Sequence, residues 1–277
     1  GFVARGAEDG GSPAALMASC DVVITCLPSP QACAVVVEAM LPSVMQGKIW
    51  LEMSTTDASE VQRLGAAVQE RGGFAVDCPV SGGCHRAATG NISIFAGCDR
   101  ATFDTVLPLL TTLGRRVLHT GDLGSASTLK VMTNYLATAN LLSVCEAMVT
   151  MKAAGLDMAT TYEAIKISSG TSFVHETESQ VILNGSRDIG FSMGLVKKDI
   201  GLFQNIAEAH DVPLEISPMM VKIFEDGIAR YGFDAQSDDI IKRLEEATGL
   251  DITAPGFPAE MVDDEPEESG YEVTPPR

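Results

Sequence analysis

The sequence predicts an α/β fold in which a mostly parallel sheet is followed by an all-helical domain. Short β-rich runs alternate with amphipathic stretches from about residue 21 to residue 120, a pattern typical of βαβ units and a parallel sheet. After Gly124 the apolar pattern becomes helical. These two observations predict a domain boundary between residues 123 and 124.

Five β-rich runs are predicted to form the sheet. They are short and apolar, as strands buried on both faces should be. The runs are residues 21–27, 48–53, 74–80, 91–96 and 116–119. Among the intervening amphipathic stretches, helices are predicted over 31–45 and 57–71. Asp57 is the expected N-cap of the second, and Glu60 is expected to complete a capping box.

A long helix from Ala126 to about Ala154 opens the predicted helical domain, which covers residues 124–250. This helix is apolar nearly all round, so other helices must bury it. Gly155 is expected to end it. Further helical patterns follow at residues 158–167, 173–183, 194–210, 213–230 and 237–246.

The last segment, residues 251–277, has a different composition. From Pro255 onward it is rich in acidic residues and proline. Such a segment buries too little apolar surface to offset the entropy lost on ordering. We therefore expect a disordered acidic tail, with a regulatory role as the alternative.

Composition and charge limit the classes of partner. Hydrophobic residues make up 45% of the chain and charged residues 20%, which is usual for a soluble globular protein. The formal charge of −18 argues against nucleic acid and anionic membrane as partners. No apolar run approaches the roughly 18–20 residues of a membrane span. Seven cysteines without a Cys-x-x-Cys pair indicate reduced thiols and a cytoplasmic protein.

Three predicted strands end in loops of small and polar residues, at the sheet edge where parallel α/β folds bind ligands. These loops contain Leu27-Pro28, Ser54-Thr55 and Ser81-Gly82-Gly83. Two successive glycines allow backbone N–H groups to turn toward a ligand. With the Ser81 hydroxyl they form a candidate carboxylate site. The alternative is a turn that requires glycine for its geometry alone.

The long predicted helix carries one charged side chain, Lys130, between Ala126 and Cys145. Asn134 follows by four residues, and side chains at i and i+4 lie about 5–6 Å apart on one helix face. A lysine on a buried helix is costly unless it reaches water or binds a ligand. Burial would lower its pKa toward the range useful for acid/base catalysis. Lys130 is therefore the candidate catalytic residue, and a lysine that extends to solvent is the alternative.

In this combination and order, the motifs resemble those of the β-hydroxyacid dehydrogenase family, which includes 3-hydroxyisobutyrate dehydrogenase and tartronate semialdehyde reductase. The resemblance covers about residues 1–249. The motifs that carry it are Asp77-Cys78-Pro79-Val80-Ser81-Gly82-Gly83, Lys130 with Asn134, and Lys198-Asp199.

The resemblance implies a Rossmann-type dinucleotide-binding domain over residues 1–123, NAD or NADP as cofactor, and a small anionic 3-hydroxy acid as substrate. It implies a homodimer or homotetramer, and no metal is expected at the site. Lys130 matches the catalytic lysine of the family. The implied substrate contacts are Ser81, Gly82, Gly83 and Asn134, and the implied cofactor contacts are Leu27, Pro28, Thr55 and Lys198.

Two departures from the family pattern affect these expectations. The family begins with a strand and a Gly-x-Gly-x-x-Gly turn, which this sequence lacks. We therefore interpret the chain as a fragment that binds dinucleotide poorly and lacks the residues that choose between NAD and NADP. In addition, Arg86 stands where relatives usually carry glycine. Our hypothesis is that His85 or Arg86 adds a cation near the anion site, and a solvent-facing pair is the alternative.

The sequence also bears on three other functions. A decarboxylating sugar-acid dehydrogenase is disfavoured because such relatives have a much longer helical domain. An imine reductase is disfavoured because those enzymes usually lack the lysine that is present here as Lys130. A non-catalytic relative, which uses the fold for oligomerisation or nucleotide sensing, stays open as the alternative from another class.

Overall fold

A computed structural model of the chain describes residues 1–276, which contain one seven-stranded sheet and eleven α-helices. The strands are β1 (Val22–Thr25), β2 (Ile49–Glu52), β3 (Phe74–Asp77), β4 (Val80–Ser81), β5 (Ser93–Gly97), β6 (Arg116–Gly121) and β7 (Tyr271–Val273). The helices are α1 (Pro13–Ser19), α2 (Pro30–Met40), α3 (Ala58–Gln69), α4 (Gly83–Thr89), α5 (Arg100–Leu113), α6 (Ser125–Ala153), α7 (Met158–Lys166), α8 (Phe173–Asn184), α9 (Met193–Ala209), α10 (Ile216–Tyr231) and α11 (Lys242–Thr248).

The sheet is mostly parallel, as the sequence predicts. Its strand order is β1-β2-β3-β5-β6-β7, with β4 paired to β5 off this path. Strands β1 to β3 are parallel to one another, and so are β5 to β7. The two groups meet as an antiparallel pair where Asp77 lies opposite Gly97.

Two apolar cores cover the two faces of the sheet. Successive side chains of a strand point to opposite faces, and β2 shows this directly. Trp50 packs with Met17 and Leu64 in one cluster, whereas Leu51 packs with Phe103 and the neighbouring strands in the other. Both Trp50 and Leu51 are fully buried. The predicted α/β fold is therefore confirmed, with helices on both faces of the sheet.

The chain separates into two compact units. The sheet unit contains Gly1–Ser81, Gly90–Lys130 and Glu268–Arg277, and the helical unit contains Gly82–Thr89 and Val131–Glu267. The predicted division between residues 123 and 124 therefore differs from the observed one, which falls inside α6. The reason is that the first turn and a half of α6 contacts the sheet, while the rest packs into the core formed by α7 to α10.

The expectation of a disordered acidic tail does not agree with the structure. Strand β7 pairs in parallel with β6, and Glu272 forms a two-bond ion pair with Arg100 at 2.6 and 3.0 Å. Glu268 pairs with Arg115. The expectation considered apolar burial alone, whereas backbone pairing and arginine–carboxylate contacts order this segment. Of the expected tail, residue 277 lies outside the described residues.

The start of α3 agrees with the predicted cap in one respect. The Asp57 carboxylate accepts hydrogen bonds from the backbone N–H groups of Ser59 and Glu60, so Asp57 is the N-cap. The reciprocal half of the capping box is wrong, because the Glu60 carboxylate accepts from Arg63 instead. Within residues 1–276 no helix is long and apolar enough to cross a membrane.

Candidate active site

The predicted cofactor loops lie side by side at the carboxyl ends of β1 and β2, which are parallel neighbours. The backbone N–H of Leu27 donates to the Ser54 hydroxyl at 2.7 Å. This bond joins the loop of Leu27 and Pro28 to the loop of Ser54 and Thr55. The structure thus brings these predicted cofactor contacts together at the edge where dinucleotides bind in such sheets.

Glu52, at the end of β2, fixes these loops from beneath. Its side chain is fully buried. One carboxylate oxygen accepts from the Thr25 hydroxyl at 2.7 Å, and the other accepts from the backbone N–H of Ser54 at 2.7 Å. Sequence reasoning missed this role. The available signal was a carboxylate inside an apolar strand, which is costly to bury unless it is hydrogen-bonded.

Asp77, at the end of β3, anchors the beginning of α6. Its carboxylate accepts from the backbone N–H of Ser127 at 2.7 Å and from the Ser127 hydroxyl at 2.6 Å. Burial raises the pKa of Asp77 to about 6, although the bonds from Ser127 oppose the shift. A carboxylate that binds a free N–H at the first turn of a helix stabilises that helix. Asp77 therefore positions the turn that precedes Lys130.

Lys130 lies on α6, three residues after Ser127. It is 6% exposed, so the alternative of a lysine that extends into solvent is wrong. Ser127 and Val131, close to it on the same helix, are each 1% exposed. Asn134 follows one turn later on the same helix. A buried ammonium with an amide one turn away can exchange a proton with a bound carbonyl or hydroxyl oxygen.

Asn134 and Lys198, two predicted site residues from distant parts of the sequence, meet at Asp199. The Asn134 amide donates to the Asp199 carboxylate at 2.6 Å, and the Lys198 ammonium lies 2.9 Å from its other oxygen. Asp199 is 2% exposed. Sequence reasoning named the Lys198-Asp199 pair but gave Asp199 no role. Only the fold shows that its carboxylate orients both neighbours.

The glycine turn has the backbone that its sequence predicts. Gly82 has φ +134° and Gly83 has φ +81°, a region that favours glycine. Ser81 ends β4, where it pairs with Ser93, and α4 begins at Gly83. A side chain at Gly82 or Gly83 would strain the turn.

Arg86 fits α4 without strain. A positive φ would be unfavourable for arginine, but the positive-φ residues other than glycine within residues 1–276 are Arg187 and Asp211. The Arg86 guanidinium lies 2.6 Å from the Glu265 carboxylate and 4.5 Å above the Phe173 ring. The alternative of a solvent-facing Arg86 is therefore wrong.

His85, beside Arg86 on α4, also stacks against the Phe173 ring. Its imidazole centroid is 6.1 Å from that of Phe173, with the rings nearly parallel. Burial and the neighbouring Arg86 charge lower the pKa of His85. At neutral pH His85 is therefore an uncharged aromatic contact, and Arg86 is the cation of the pair.

The residues at the carboxyl ends of β1 and β2 fit a dinucleotide. They offer backbone groups, the Thr55 hydroxyl and the apolar Leu27 side chain, all on loops held by Ser54 and Glu52. Oxygen-rich and apolar surfaces of this kind suit a ribose, a phosphate and a nicotinamide ring. Among residues 1–276 no group of three or more acidic, histidine or cysteine side chains is arranged to hold a metal ion.

Comparison with family models gives two matches that follow one another along the chain. Residues 1–121 match the model described as the NAD binding domain of 6-phosphogluconate dehydrogenase. Residues 124–244 match the model described as NAD-binding of NADP-dependent 3-hydroxyisobutyrate dehydrogenase. NAD or NADP is therefore the cofactor.

Individual relatives agree with these models. The chain is 31% identical over 255 residues to the 2-(hydroxymethyl)glutarate dehydrogenase of Eubacterium barkeri, covering 91% of this chain and 85% of that protein. It is 29% identical over 233 residues to the mitochondrial 3-hydroxyisobutyrate dehydrogenase of Rattus norvegicus, covering 80% of this chain and 70% of the relative.

A solved structure shows the same fold. The 3-hydroxyisobutyrate dehydrogenase of Mycobacterium tuberculosis, determined with L-serine, superposes with a TM-score of 0.75 at 24% identity, over 84% of this chain and 81% of that one. The fold, the two consecutive family models and the relative at 31% identity lead to one conclusion. The chain belongs to the β-hydroxyacid dehydrogenase family.

Proposed function

We propose that this protein is an NAD(P)-dependent dehydrogenase of small 3-hydroxy acids, which interconverts a primary alcohol and the corresponding semialdehyde. The observation that carries this proposal is the burial of Lys130, at 6% exposure, on a helix whose first turn is anchored by Asp77. A buried lysine in this setting serves as an acid/base group far more readily than as a solvated surface charge.

A nicotinamide cofactor held at the loops of Leu27, Pro28 and Thr55 would supply or accept the hydride. In the reducing direction the Lys130 ammonium donates its proton to the carbonyl oxygen of the substrate, which becomes the hydroxyl. In the oxidising direction the neutral amine of Lys130 accepts the hydroxyl proton. Exclusion of water around Lys130 strengthens its interaction with the oxygen on which charge develops.

The remaining substrate and cofactor contacts are assigned by position in the family motifs. Ser81, Gly82 and Gly83 hold the substrate carboxylate through a hydroxyl and backbone N–H groups. Asn134 orients the substrate, and its amide is held in place by Asp199 at 2.6 Å. The cofactor contacts are Leu27, Pro28, Thr55 and Lys198.

The substrate is a small acid with a hydroxymethyl group. The relatives named for 2-(hydroxymethyl)glutarate and for 3-hydroxyisobutyrate both act on acids of this type, which supports the proposal. We also propose a cytoplasmic homodimer or homotetramer. A screen of small hydroxy acids with NAD and NADP, followed by the absorbance of the reduced cofactor, identifies the substrate and the preferred cofactor.

Replacement of Lys130 tests the mechanism. In the full-length enzyme we expect Lys130→Ala to lower kcat by at least about 10²-fold, the lower end for loss of a positioned acid/base group. The Kd of the reduced cofactor, measured by fluorescence titration, should stay within about twofold. The matched control is Lys197→Ala, which removes an exposed lysine of the helical unit that pairs with Glu225. Equal turnover of Lys130→Ala and the control would contradict the proposal and favour a non-catalytic relative.

A further inference from the structure

Arg86 and Gly83 lie one turn apart on α4, which belongs to the helical unit. Residues at i and i+3 are on the same face of a helix, about 5–6 Å apart. The turn assigned to the substrate carboxylate and the Arg86 guanidinium are therefore presented on one side of one short helix. A cation at this distance suits the second acidic group of a substrate whose first is held at the turn.

A segment of the same chain now lies along this face. We call residues 261–265 the C-terminal strap. A Cβ atom built on Gly83 would lie 3.9 Å from the terminal methyl of Met261. Further along α4, the Thr89 hydroxyl donates to the Asp263 carboxylate at 2.5 Å, and Arg86 donates to Glu265 at 2.6 Å. The strap thus contacts α4 at its first residue, at its last residue and at Arg86 between them.

The Arg86 guanidinium is held ready to bind a carboxylate. It lies 4.5 Å above the Phe173 ring, which fixes the plane of the guanidinium and shields one of its faces. A planar, preorganised guanidinium loses little entropy when it binds a carboxylate. The hydrogen bond that Arg86 donates to Glu265 shows that one edge of the guanidinium is oriented toward a carboxylate.

The two strap carboxylates are held unequally. Asp263 has a side chain that is 2% exposed and is fixed by Thr89. The Glu265 side chain is 24% exposed. Asp263 also lies 3.9 Å from the Arg86 guanidinium, so two acidic groups share one cation and repel each other. Of the two, Glu265 is the more accessible to a competing carboxylate.

We propose that Arg86 is the receptor for a second carboxylate of the substrate, and that Glu265 occupies this position until a dicarboxylic hydroxy acid displaces it. This inference rests on the proposed function, because the first carboxylate is assigned to the turn of Gly82 and Gly83. It makes Arg86 a specificity-determining residue and makes the strap an internal competitor. The proton transfer remains with Lys130.

Kinetics with two matched substrates test the role of Arg86. 3-Hydroxyisobutyrate and 2-(hydroxymethyl)glutarate carry the same hydroxymethyl group beside a carboxylate, and only the second has another carboxylate. In the full-length enzyme we expect Arg86→Gln to raise the KM of the dicarboxylate at least about 10-fold relative to that of the monocarboxylate, equivalent to about 1.4 kcal/mol. An unchanged ratio of the two KM values would overturn the proposal.

Removal of the internal competitor should act in the opposite direction. We expect Glu265→Gln to lower the KM of the dicarboxylate about twofold to fivefold, the range for loss of a partly exposed ion pair, with little effect on the monocarboxylate. The matched control is Glu267→Gln, which makes the same charge change at an exposed residue outside the strap. The effect of Glu265→Gln should vanish in an Arg86→Gln background. If it persists there, or if Glu267→Gln reproduces it, the effect is one of overall charge and the proposal fails.

Hydrogen–deuterium exchange separates this inference from the proposed activity, because it needs no turnover. Glutarate should raise the exchange of the strap amides, whereas butyrate at the same concentration and ionic strength should not. Equal exchange with both acids would overturn the inference even if the protein is an active dehydrogenase. Conversely, displacement by glutarate in a protein without dehydrogenase activity would support the Arg86 receptor and contradict the proposed function.

Discussion

At the scale of single residues, the sequence indicates the candidate site residues Lys130, Asn134 and Lys198 but not the buried carboxylates around them. Asp199 binds Asn134 and Lys198, and Asp77 anchors the beginning of α6. Lys130 stands out in the sequence because it is the one charged side chain between Ala126 and Cys145. Asp77 and Asp199 act through contacts with residues about 50 and 65 positions away, and no local pattern predicts which partner a buried acid will find. The signal that was available is the burial of an acidic residue itself, which requires hydrogen-bond donors nearby.

The raised pKa of Asp77, about 6 because of burial, has a consequence for stability. A carboxyl whose pKa is higher in the folded protein than in the unfolded chain contributes stability at low pH and loses it as the pH rises. Here the loss falls between about pH 4 and pH 6 and amounts to about 3 kcal/mol at most. We expect Asp77→Asn, which keeps the shape and can still bond to Ser127, to remove this loss.

The measurement is urea unfolding of wild type and Asp77→Asn at several pH values from 4.5 to 7. The difference in the free energy of unfolding between variant and wild type should shift in favour of the variant as the pH rises. The comparison with wild type cancels the opposite trend of exposed acids such as Asp226, whose pKa is lowered by Arg243 and Arg230. A difference that is constant with pH would show that Asp77 is not the group that titrates.

At the scale of elements, the long helix and four of the five predicted strands agree with the structure, whereas the remaining predicted strand divides and the short helix α4 was not predicted. The predicted helix over 126–154 agrees with α6, Ser125–Ala153, because twenty-nine residues of apolar pattern outweigh local irregularities. The predicted strand over 74–80 divides into β3 and β4, since Pro79 lacks the N–H that a continuous ladder requires. Helix α4 was missed because two glycines, weak helix formers, precede a run of only a few residues.

Close packing at the beginning of α6 gives an element-scale prediction. A Cβ atom at Gly97, the last residue of β5, would lie 2.8 Å from the Ser125 hydroxyl and 2.9 Å from the Asp122 carbonyl oxygen. We expect Gly97→Ala to lower the free energy of unfolding by about 1–3 kcal/mol, the usual cost of overpacking. The control is Gly201→Ala in α9, where a Cβ meets nothing within 4 Å.

The control should raise the free energy of unfolding by about 0.5–1 kcal/mol, since alanine is the better helix former. Thermal denaturation followed by circular dichroism measures both variants. A Gly97→Ala protein as stable as wild type would show that the start of α6 tolerates displacement. In that event the position of the turn before Lys130 would not depend on this contact.

At the scale of the whole molecule, the C-terminal segment contributes to both compact units. Residues up to Glu267 belong to the helical unit and those from Glu268 onward to the sheet unit. Composition predicted an unstructured acidic tail, since acidic residues are the usual mark of solvated chain. What composition does not show is that Arg86, Arg100 and Arg115 provide cationic partners for these acids.

Removal of residues 268–277 tests this contribution to stability. We expect a loss of about 2 kcal/mol or more in the free energy of unfolding, because the pairing of β6 with β7 and the ion pair between Arg100 and Glu272 are lost together. Gly270→Ala should give part of the same loss, since its Cβ would clash with the carbonyl oxygens of Thr111 and Gly114. Calorimetry measures both.

The control for the glycine change is Gly170→Ala, whose Cβ would meet only the Ser168 hydroxyl, at 3.4 Å. If the deletion and Gly270→Ala leave the melting temperature at the value of this control, the final strand adds nothing to stability. Of the acidic C-terminal residues, only those that contact α4, such as Glu265, would then have a role.

The position of Trp50, described above as part of the sheet core, determines what optical experiments on this protein report. It is the one tryptophan of the chain, it is fully buried, and its indole N–H donates to the Thr25 hydroxyl at 2.8 Å. That hydroxyl in turn donates to Glu52, the acid beneath the proposed nucleotide loops. Intrinsic emission therefore follows the integrity of this half of the molecule, while loosening of the helical half leaves the signal unchanged.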